Sequence, residues 1–162
     1  MLKAFAKFLE MGEECHSVMF VMLLTKDRFL SDIMHVIKEK KLQAHVRILE
    51  PVNQAEKRAL YHDSLALFFA TKLEGFGFPV LEAQAQGTPV VASRIDSLPE
   101  ITGDSALLVD PDDLTAMAEA LHRIIFDHNL RKTLIEKGKQ NVRNFSWEKT
   151  ARDVLEIYQH LM

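Results

Sequence analysis

Two glutamates, Glu74 and Glu82, flank a run of glycine and apolar residues in the middle of the chain. A carboxylate accepts hydrogen bonds on both of its oxygens, which suits the hydroxyl groups of a polyol. Between the glutamates, Gly75 and Gly77 leave the backbone open to close approach because they carry no Cβ. A carboxylate repels a phosphate, so we expect each glutamate to bind hydroxyl groups on one side of it. These residue types predict a ligand with polyols on both flanks of a phosphate group, the layout of a nucleotide sugar.

A short helix is predicted to begin at Pro79, directly after the glycines. Proline suits the first helical position because its missing N–H would be unpaired there and its φ is already set. The amides of Val80 and Leu81 would then be free, and together with the helix dipole they would attract an anion. Gly87 is expected to end the helix before a buried strand over 88–93. The pattern predicts a diphosphate site at the helix start.

This stretch resembles the C-terminal domain of retaining glycosyltransferases of the family-4, or group 1, type. The resemblance rests on Glu74 and Glu82 within Glu-Gly-Phe-Gly-Phe-Pro-Val-Leu-Glu-Ala, followed in the family's order by segments 87–93, 98–101 and 103–111. It implies a GT-B architecture, whose C-terminal domain is an α/β fold with a Rossmann-like parallel sheet and helices on both faces. It also implies that the acceptor attacks from the face that the diphosphate leaves, so that the anomeric configuration is kept.

The resemblance also assigns roles within the motif. Glu74 resembles the catalytic glutamate that contacts donor-sugar hydroxyls near the reacting carbon, and Glu82 resembles the one that binds the ribose hydroxyls. The donor-binding segment then consists of Gly75, Phe76, Gly77, Phe78, Pro79, Val80, Leu81 and Glu82. Such enzymes require no metal ion or other cofactor, since amides, a helix terminus and basic side chains neutralise the leaving phosphate. Lys72 and Arg94 are nearby candidates for contacts with the phosphate.

The order of apolar runs predicts alternating strands and helices, which is typical of parallel βαβ units. Strands are expected over 18–24, 44–49, 65–70, 88–93 and 106–109. Helices are expected over 2–9, 27–42, 54–62, 79–86, 114–125, 130–143 and 146–161. In such sheets ligands bind beyond the carboxyl ends of the strands, where residues 72–77 would lie. The length of 162 residues and the 48% hydrophobic content favour a single domain over residues 1–162.

Local signals position several helices. Asn53 is expected to cap the third helix, and Asp112 or Asp113 the helix that starts at Leu114. The last helix has apolar residues at helical spacing, which we interpret as a core stripe, although Trp147 at its start can also face a neighbouring domain. That stripe consists of Trp147, Ala151, Val154, Leu155, Tyr158 and Leu161.

Composition excludes several classes of function. The net charge of −3, from 20 basic and 23 acidic residues, gives no electrostatic footprint for nucleic acid. The single cysteine, Cys15, excludes an internal disulfide and a cysteine cluster, and the seven histidines have no short metal-ligand spacing, so we predict no metal site. No apolar run reaches the roughly 20 residues needed to cross a bilayer. The expected location is the cytoplasm, with any membrane attachment in a domain outside this chain.

Comparison with the family pattern indicates a fragment. The chain begins inside the first helix after the family's first strand, and it lacks that strand, a diphosphate-clamping Arg and Lys, and the N-terminal acceptor domain with its histidine. We expect as partners a nucleotide-diphosphate sugar and the missing N-terminal domain or a chain that supplies it. Little activity is expected from this polypeptide alone. Smaller departures are Thr71, where serine is usual, and Gln84, where methionine is common.

The missing strand is central in the family's sheet. Strands 18–24 and 65–70 would therefore each have an unpaired edge, unless they pair with one another or with another chain, so self-association is expected.

Other interpretations of the motif remain open. Glu82 can simply favour the helix dipole, Glu74 can be a solvated loop charge, and the glycines can be turn formers. A partial dinucleotide fingerprint over 75–80 lacks its last glycine, which leaves nicotinamide binding as a minor alternative. Two functions are retained: the donor-binding part of a retaining glycosyltransferase, and a non-catalytic nucleotide-sugar binding or subunit-interaction domain.

Overall fold

The structure is a computed structural model that describes residues 1–24 and 29–161. Its strands are β1 (Phe20–Leu23), β2 (Val46–Leu49), β3 (Leu67–Phe69), β4 (Val90–Ser93) and β5 (Leu107–Val109). Its α-helices are α1 (Leu2–Leu9), α2 (Leu30–Glu39), α3 (Gln54–Asp63), α4 (Phe78–Ala85), α5 (Leu98–Thr102), α6 (Leu114–Phe126), α7 (His128–Val142) and α8 (Trp147–Leu161). A 3-10 helix covers Glu13–Ser17. The predicted start of the second helix at Asp27 lies outside the described residues.

The strands form two parallel sheets, which confirms the predicted α/β class. β1 pairs with β2, with Phe20 opposite Val46, and β4 lies between β3 and β5, with Val91 opposite Phe68 and Leu107. Within residues 1–24 and 29–161, β1 has no strand partner besides β2, and β3 has none besides β4. The expected unpaired edges are therefore present. Both sheets nevertheless share one core, since the rings of Phe20 and Phe68 lie 6.1 Å apart between centroids.

The first helix supplies much of that core. Leu2, Phe5, Phe8 and Leu9 are buried on one face of α1, as its spacing predicted. The ring of Phe8 lies 6.3 Å from that of Phe126 on α6, against which α1 packs. Burial removes this apolar face from water, and each large buried side chain stabilises the fold by about 2 kcal/mol.

Side-chain caps set the helix starts. The Asn53 side chain accepts hydrogen bonds from the amides of Ala55 and Glu56, and the Glu56 carboxylate accepts one from the Asn53 amide, so the predicted cap is confirmed as a full capping box. Asp113, one of the two predicted candidates, caps α6. Asp127 caps α7, which therefore begins at His128, two positions before the predicted Leu130.

The interpretation of α8 as a core helix was wrong. None of its residues is buried, and Trp147 is 73% exposed. Helical periodicity identifies an apolar face, but a face is buried only where another element covers it. The single domain expected over residues 1–162 stays a prediction.

Candidate functional site

The glycine-rich loop enters α4 with a left-handed residue. Gly77 has φ 109°, and α4 begins at Phe78, so the helix starts one residue before the predicted Pro79, which takes the second position. The Gly77 carbonyl accepts hydrogen bonds from the amides of Val80 and Leu81, at 3.0 and 3.4 Å. The prediction that these two amides are free was therefore wrong. Because the helix starts one residue earlier, the Gly77 carbonyl is positioned to accept hydrogen bonds from both amides.

The amides that hold an anion lie just before the helix. Oε1 of Glu74 accepts hydrogen bonds from the amides of Phe76 and Gly77, at 3.2 and 3.1 Å. Successive backbone amides in a tight turn form a concave anion-binding nest, and the positive end of a helix dipole strengthens it. The amides that bind a negative charge in this loop are those of Phe76 and Gly77, not those of Val80 and Leu81, and the diphosphate site stays a prediction. Here the charge is the protein's own carboxylate.

The loop after β4 forms hydrogen bonds with the loop that carries this nest. Oδ2 of Asp96 accepts a hydrogen bond from the Glu74 amide at 3.2 Å, and the Ser97 hydroxyl donates to the Phe76 carbonyl at 3.0 Å. Asp96 adopts a left-handed φ of 46°, which is uncommon for a residue with a Cβ. Sequence reasoning missed Asp96 and Ser97. The signal that could have found them is topological, because β3 and β4 are neighbours and their following loops share one edge of the sheet.

The two glycines of the motif have different surroundings. A Cβ at Gly75 would meet no atom within 4 Å, so this exposed position is open to a ligand. A Cβ at Gly77 would lie 2.7 Å from Cδ2 of Leu98, in addition to requiring a left-handed backbone. The expectation that glycine permits close approach therefore fits Gly75, whereas Gly77 is needed by the fold itself.

The aromatic residues of the motif pack against the segment that leads into α8 and against the first residue of that helix. The ring of Phe76 lies 4.7 Å from that of Phe78 and 6.2 Å from that of Phe145 in an edge contact. Phe78 in turn stacks on Trp147, with ring centroids 5.9 Å apart. These contacts fix the loop to the C-terminal part of the chain, so the side chains of Phe76 and Phe78 have a structural role beside any contact with a ligand.

Glu82 lies on the side of α4 that faces α3. Its Oε1 accepts a hydrogen bond from Nζ of Lys57 at 2.6 Å, and its Oε2 accepts one from the Tyr61 hydroxyl at 3.4 Å. Burial, followed by the negative charge of Glu82 and this hydrogen bond, raises the pKa of Tyr61 to about 12. The Glu82 side chain remains 38% exposed, so its oxygens stay accessible to solvent. Sequence reasoning missed Lys57 and Tyr61, which stand one turn apart on α3 and thus share a face.

The structure does not bring every predicted residue into one cluster. Glu74 is joined to the loop amides, whereas Glu82 is joined to α3, and the side chains of Val80 and Leu81 are buried in the core. Only the backbone of those two residues can face a ligand.

The two basic candidates are engaged elsewhere. Lys72 forms an exposed ion pair with Asp112, and the guanidinium of Arg94 donates to the Leu108 carbonyl at 3.1 Å. Neither supplies a positive charge to the Glu74 nest in this conformation.

The parallel sheets, the flanking helices and the glycine-rich entry to α4 are those of a glycosyltransferase domain of the GT-B class. The sequence matches the family described as "Glycosyl transferases group 1" over residues 1–141, and the chain belongs to that family. It is 37% identical over 126 residues to a D-inositol 3-phosphate glycosyltransferase of Corynebacterium urealyticum, covering 76% of this chain and 30% of that protein. It is also 30% identical over 129 residues to the O-antigen chain mannosyltransferase B of Escherichia coli, covering 80% of this chain and 34% of the relative.

Solved structures show the same fold. Sucrose-phosphate synthase from Thermosynechococcus elongatus superposes with a TM-score of 0.82 at 24% identity, over 99% of this chain and 42% of that one. A glycosyltransferase from Rickettsia africae superposes with a TM-score of 0.83, also at 24% identity, over 98% of this chain and 42% of that one. The chain thus spans about a third of the length of the curated relatives cited above. Among the described helices, none combines the length and apolar character that crossing a bilayer requires.

Proposed function

We propose that this chain is the donor-binding domain of a retaining glycosyltransferase, which moves a sugar from a nucleotide-diphosphate sugar to an acceptor. The observation that carries the proposal is the nest of Phe76 and Gly77 amides at the entry to α4, which already holds one carboxylate oxygen of Glu74. Amides that stabilise a carboxylate are equally suited to a phosphate or sugar oxygen. Family membership supports the sugar-transfer class of reaction.

The hydrogen bonds of Glu74 lead to a specific proposal for how the donor binds. Oε1 of Glu74 occupies the nest, while Oε2 lies outside those two hydrogen bonds. When a donor oxygen takes the amides, the carboxylate is released and turns toward the donor-sugar hydroxyls. Glu74 then stands beside the reacting carbon, where its negative charge stabilises the positive charge that develops as the diphosphate leaves.

Glu82 binds the other end of the donor. Lys57 and Tyr61 fix the orientation of its carboxylate, and each carboxylate oxygen retains lone pairs for the ribose hydroxyls. A preorganised acceptor loses less entropy on binding than a mobile one, so α3 contributes to donor affinity without touching the donor.

Transfer requires more than this domain. The acceptor site is supplied by an N-terminal domain or by a chain that provides one, whereas the Arg and Lys that clamp the diphosphate belong to the segment after the first strand of the family's C-terminal domain. The leaving diphosphate is stabilised by amides, helix dipole and basic side chains rather than by a metal ion, and no other cofactor takes part. The proposed setting is cytoplasmic.

Calorimetric titration with UDP, GDP and ADP tests the donor site. One diphosphate is expected to bind, and Glu82→Gln should weaken it by at least about 1 kcal/mol, the scale of a lost hydrogen bond to a charged group. Glu136→Gln, an exposed carboxylate on α7, is the matched control and should leave binding unchanged. If none of the three binds to folded protein, or if both variants bind like the parent, the proposed donor site is refuted.

The unpaired strand edges and the exposed apolar face of α8 favour a second candidate, a non-catalytic nucleotide-sugar binding or subunit-interaction domain. In that case the chain would associate with itself or with another subunit through those surfaces. Joining the chain to a family N-terminal half distinguishes the candidates. Sugar transfer that Glu74→Gln abolishes supports the donor-binding role, whereas diphosphate binding without any transfer supports the second.

A further inference from the structure

Three potential metal ligands lie close together outside the donor site. Cys15 in the 3-10 helix before β1, its neighbour Glu14, and His122 in the second half of α6 place one ligand atom each within 4.8 Å of the other two. Nε2 of His122 lies 3.6 Å from Oε1 of Glu14. The loop carrying Glu74 follows β3 and leads into α4, and none of the three residues belongs to it.

The donor set has a definite chemical preference. A thiolate, an imidazole and a carboxylate are the three side-chain ligands of Zn²⁺, and a sulfur ligand disfavours Mg²⁺ and Ca²⁺. Three protein ligands leave the fourth tetrahedral position to water. The separation between Nε2 and Oε1 is close to that between two ligands of one ion, so small side-chain rotations suffice to close the site.

The burial of the three residues also suits an ion. Cys15 is fully buried, whereas the side chains of Glu14 and His122 are 55% and 32% exposed, so the sulfur forms the floor and the other two ligands form the rim. The partly exposed ligands give the ion a path from solvent.

We propose that Glu14, Cys15 and His122 form a Zn²⁺ site that links the 3-10 helix to α6. The ion would hold the segment between α1 and β1 against α6 and stabilise the fold, because metal that binds only the native state adds its binding free energy to folding. The proposal does not rest on the donor site.

Cobalt substitution tests the site directly, because Cys15 is the single cysteine of the chain. Titration of the intact chain with Co²⁺ should produce a thiolate-to-cobalt charge-transfer band and the intense visible bands of tetrahedral coordination, both lost on adding Zn²⁺. Native mass spectrometry should show one Zn²⁺ per single chain. Cys15→Ser should abolish the charge-transfer band.

The two partly exposed ligands provide variants that leave the buried Cys15 in place. Glu14→Gln and His122→Gln should each weaken Co²⁺ binding more than about 10-fold, the lower bound seen when even an outer partner of a metal ligand is removed. Glu13→Gln, from the same 3-10 helix, and His128→Gln, from α7, are the matched controls and should bind like the parent. The proposal is overturned if folded parent protein shows no charge-transfer band at saturating Co²⁺, if either ligand variant binds unchanged, or if the ion joins two chains.

Discussion

Helices α4 and α8 both carry abundant apolar residues, yet the chain buries the first and exposes the second. In α4, Val80 and Ala83 are fully buried, because the helix lies among α3, α7, β3 and β4. In α8 the apolar residues Leu155 and Tyr158 are 56% and 63% exposed. Sequence periodicity tells which side chains share a face, but only the surrounding elements decide whether that face is covered. The consequences of mutation should therefore differ sharply between the two helices.

The largest effect is expected at the entry to α4. Gly77→Ala places a Cβ in a left-handed conformation and 2.7 Å from Leu98, so it should lower the free energy of unfolding by about 2 to 4 kcal/mol. Urea denaturation followed by circular dichroism measures the change. Gly75→Ala is the matched control and should cost less than about 1 kcal/mol, since its Cβ meets open space. Equal losses of unfolding free energy in the two variants would contradict a special structural requirement for glycine at position 77.

A second effect is expected in the middle of α4. The buried Gln84 side chain donates to the Ser105 hydroxyl at 2.7 Å and accepts from the Asn141 amide at 2.9 Å. Gln84→Met introduces the residue that is common at this position in the family. It should lower the free energy of unfolding by about 1 to 2 kcal/mol, because the Ser105 hydroxyl and the Asn141 side-chain amide each lose one hydrogen bond. Gln86→Met, at the half-buried C-terminal end of the helix, is the control and should be close to neutral. A Gln84→Met protein as stable as the parent would mean that the network contributes no net stability.

Much of the α4 region could be predicted from local sequence. The alternation of strands and longer helices and the Asn53 cap follow from short-range rules, and both are present, whereas α5 was not predicted. Which amides bind the Glu74 carboxylate could not be predicted. It depends on a helix start one residue earlier than Pro79 and on a carboxylate that folds back within its own loop.

Contacts between distant segments were beyond sequence reasoning for a different reason. Lys57 and Tyr61 reach Glu82, and His122 reaches Cys15, only because particular helices pack together. Spacing along the chain carries no trace of such pairs, which is why the sequence predicted neither the α3 contribution to Glu82 nor the metal-ligand cluster.

The contact between α3 and α4 gives a spectroscopic prediction. In a Tyr158→Phe background Tyr61 is the sole tyrosine, and its ionisation can be followed by ultraviolet absorption. Glu82→Gln should lower the pKa of Tyr61 from about 12 toward 10, because it removes the nearby negative charge while burial remains. Glu136→Gln in the same background should leave that pKa unchanged. An unshifted pKa in Glu82→Gln would assign the whole effect to burial.

The same pKa determines how stability depends on pH. Since the folded-state pKa of Tyr61 lies above the ordinary value of 10, its contribution is fully present below pH 10 and is lost as the pH rises from 10 to about 12. The loss in that window should be smaller in Glu82→Gln, whose pKa lies closer to that of the unfolded chain.

The smallest effect on stability is expected for substitutions in α8, where apolar residues are exposed. Leu155→Ser and Tyr158→Ser should each change the free energy of unfolding by less than about 0.5 kcal/mol, because little apolar surface returns to water on unfolding. Urea denaturation at two protein concentrations measures this, and Leu121→Ser on α6, a buried residue, is the contrasting control. A loss above about 1 kcal/mol that grows with protein concentration would show that a second copy covers the face of α8. A concentration-independent loss would show that the helix packs on its own chain.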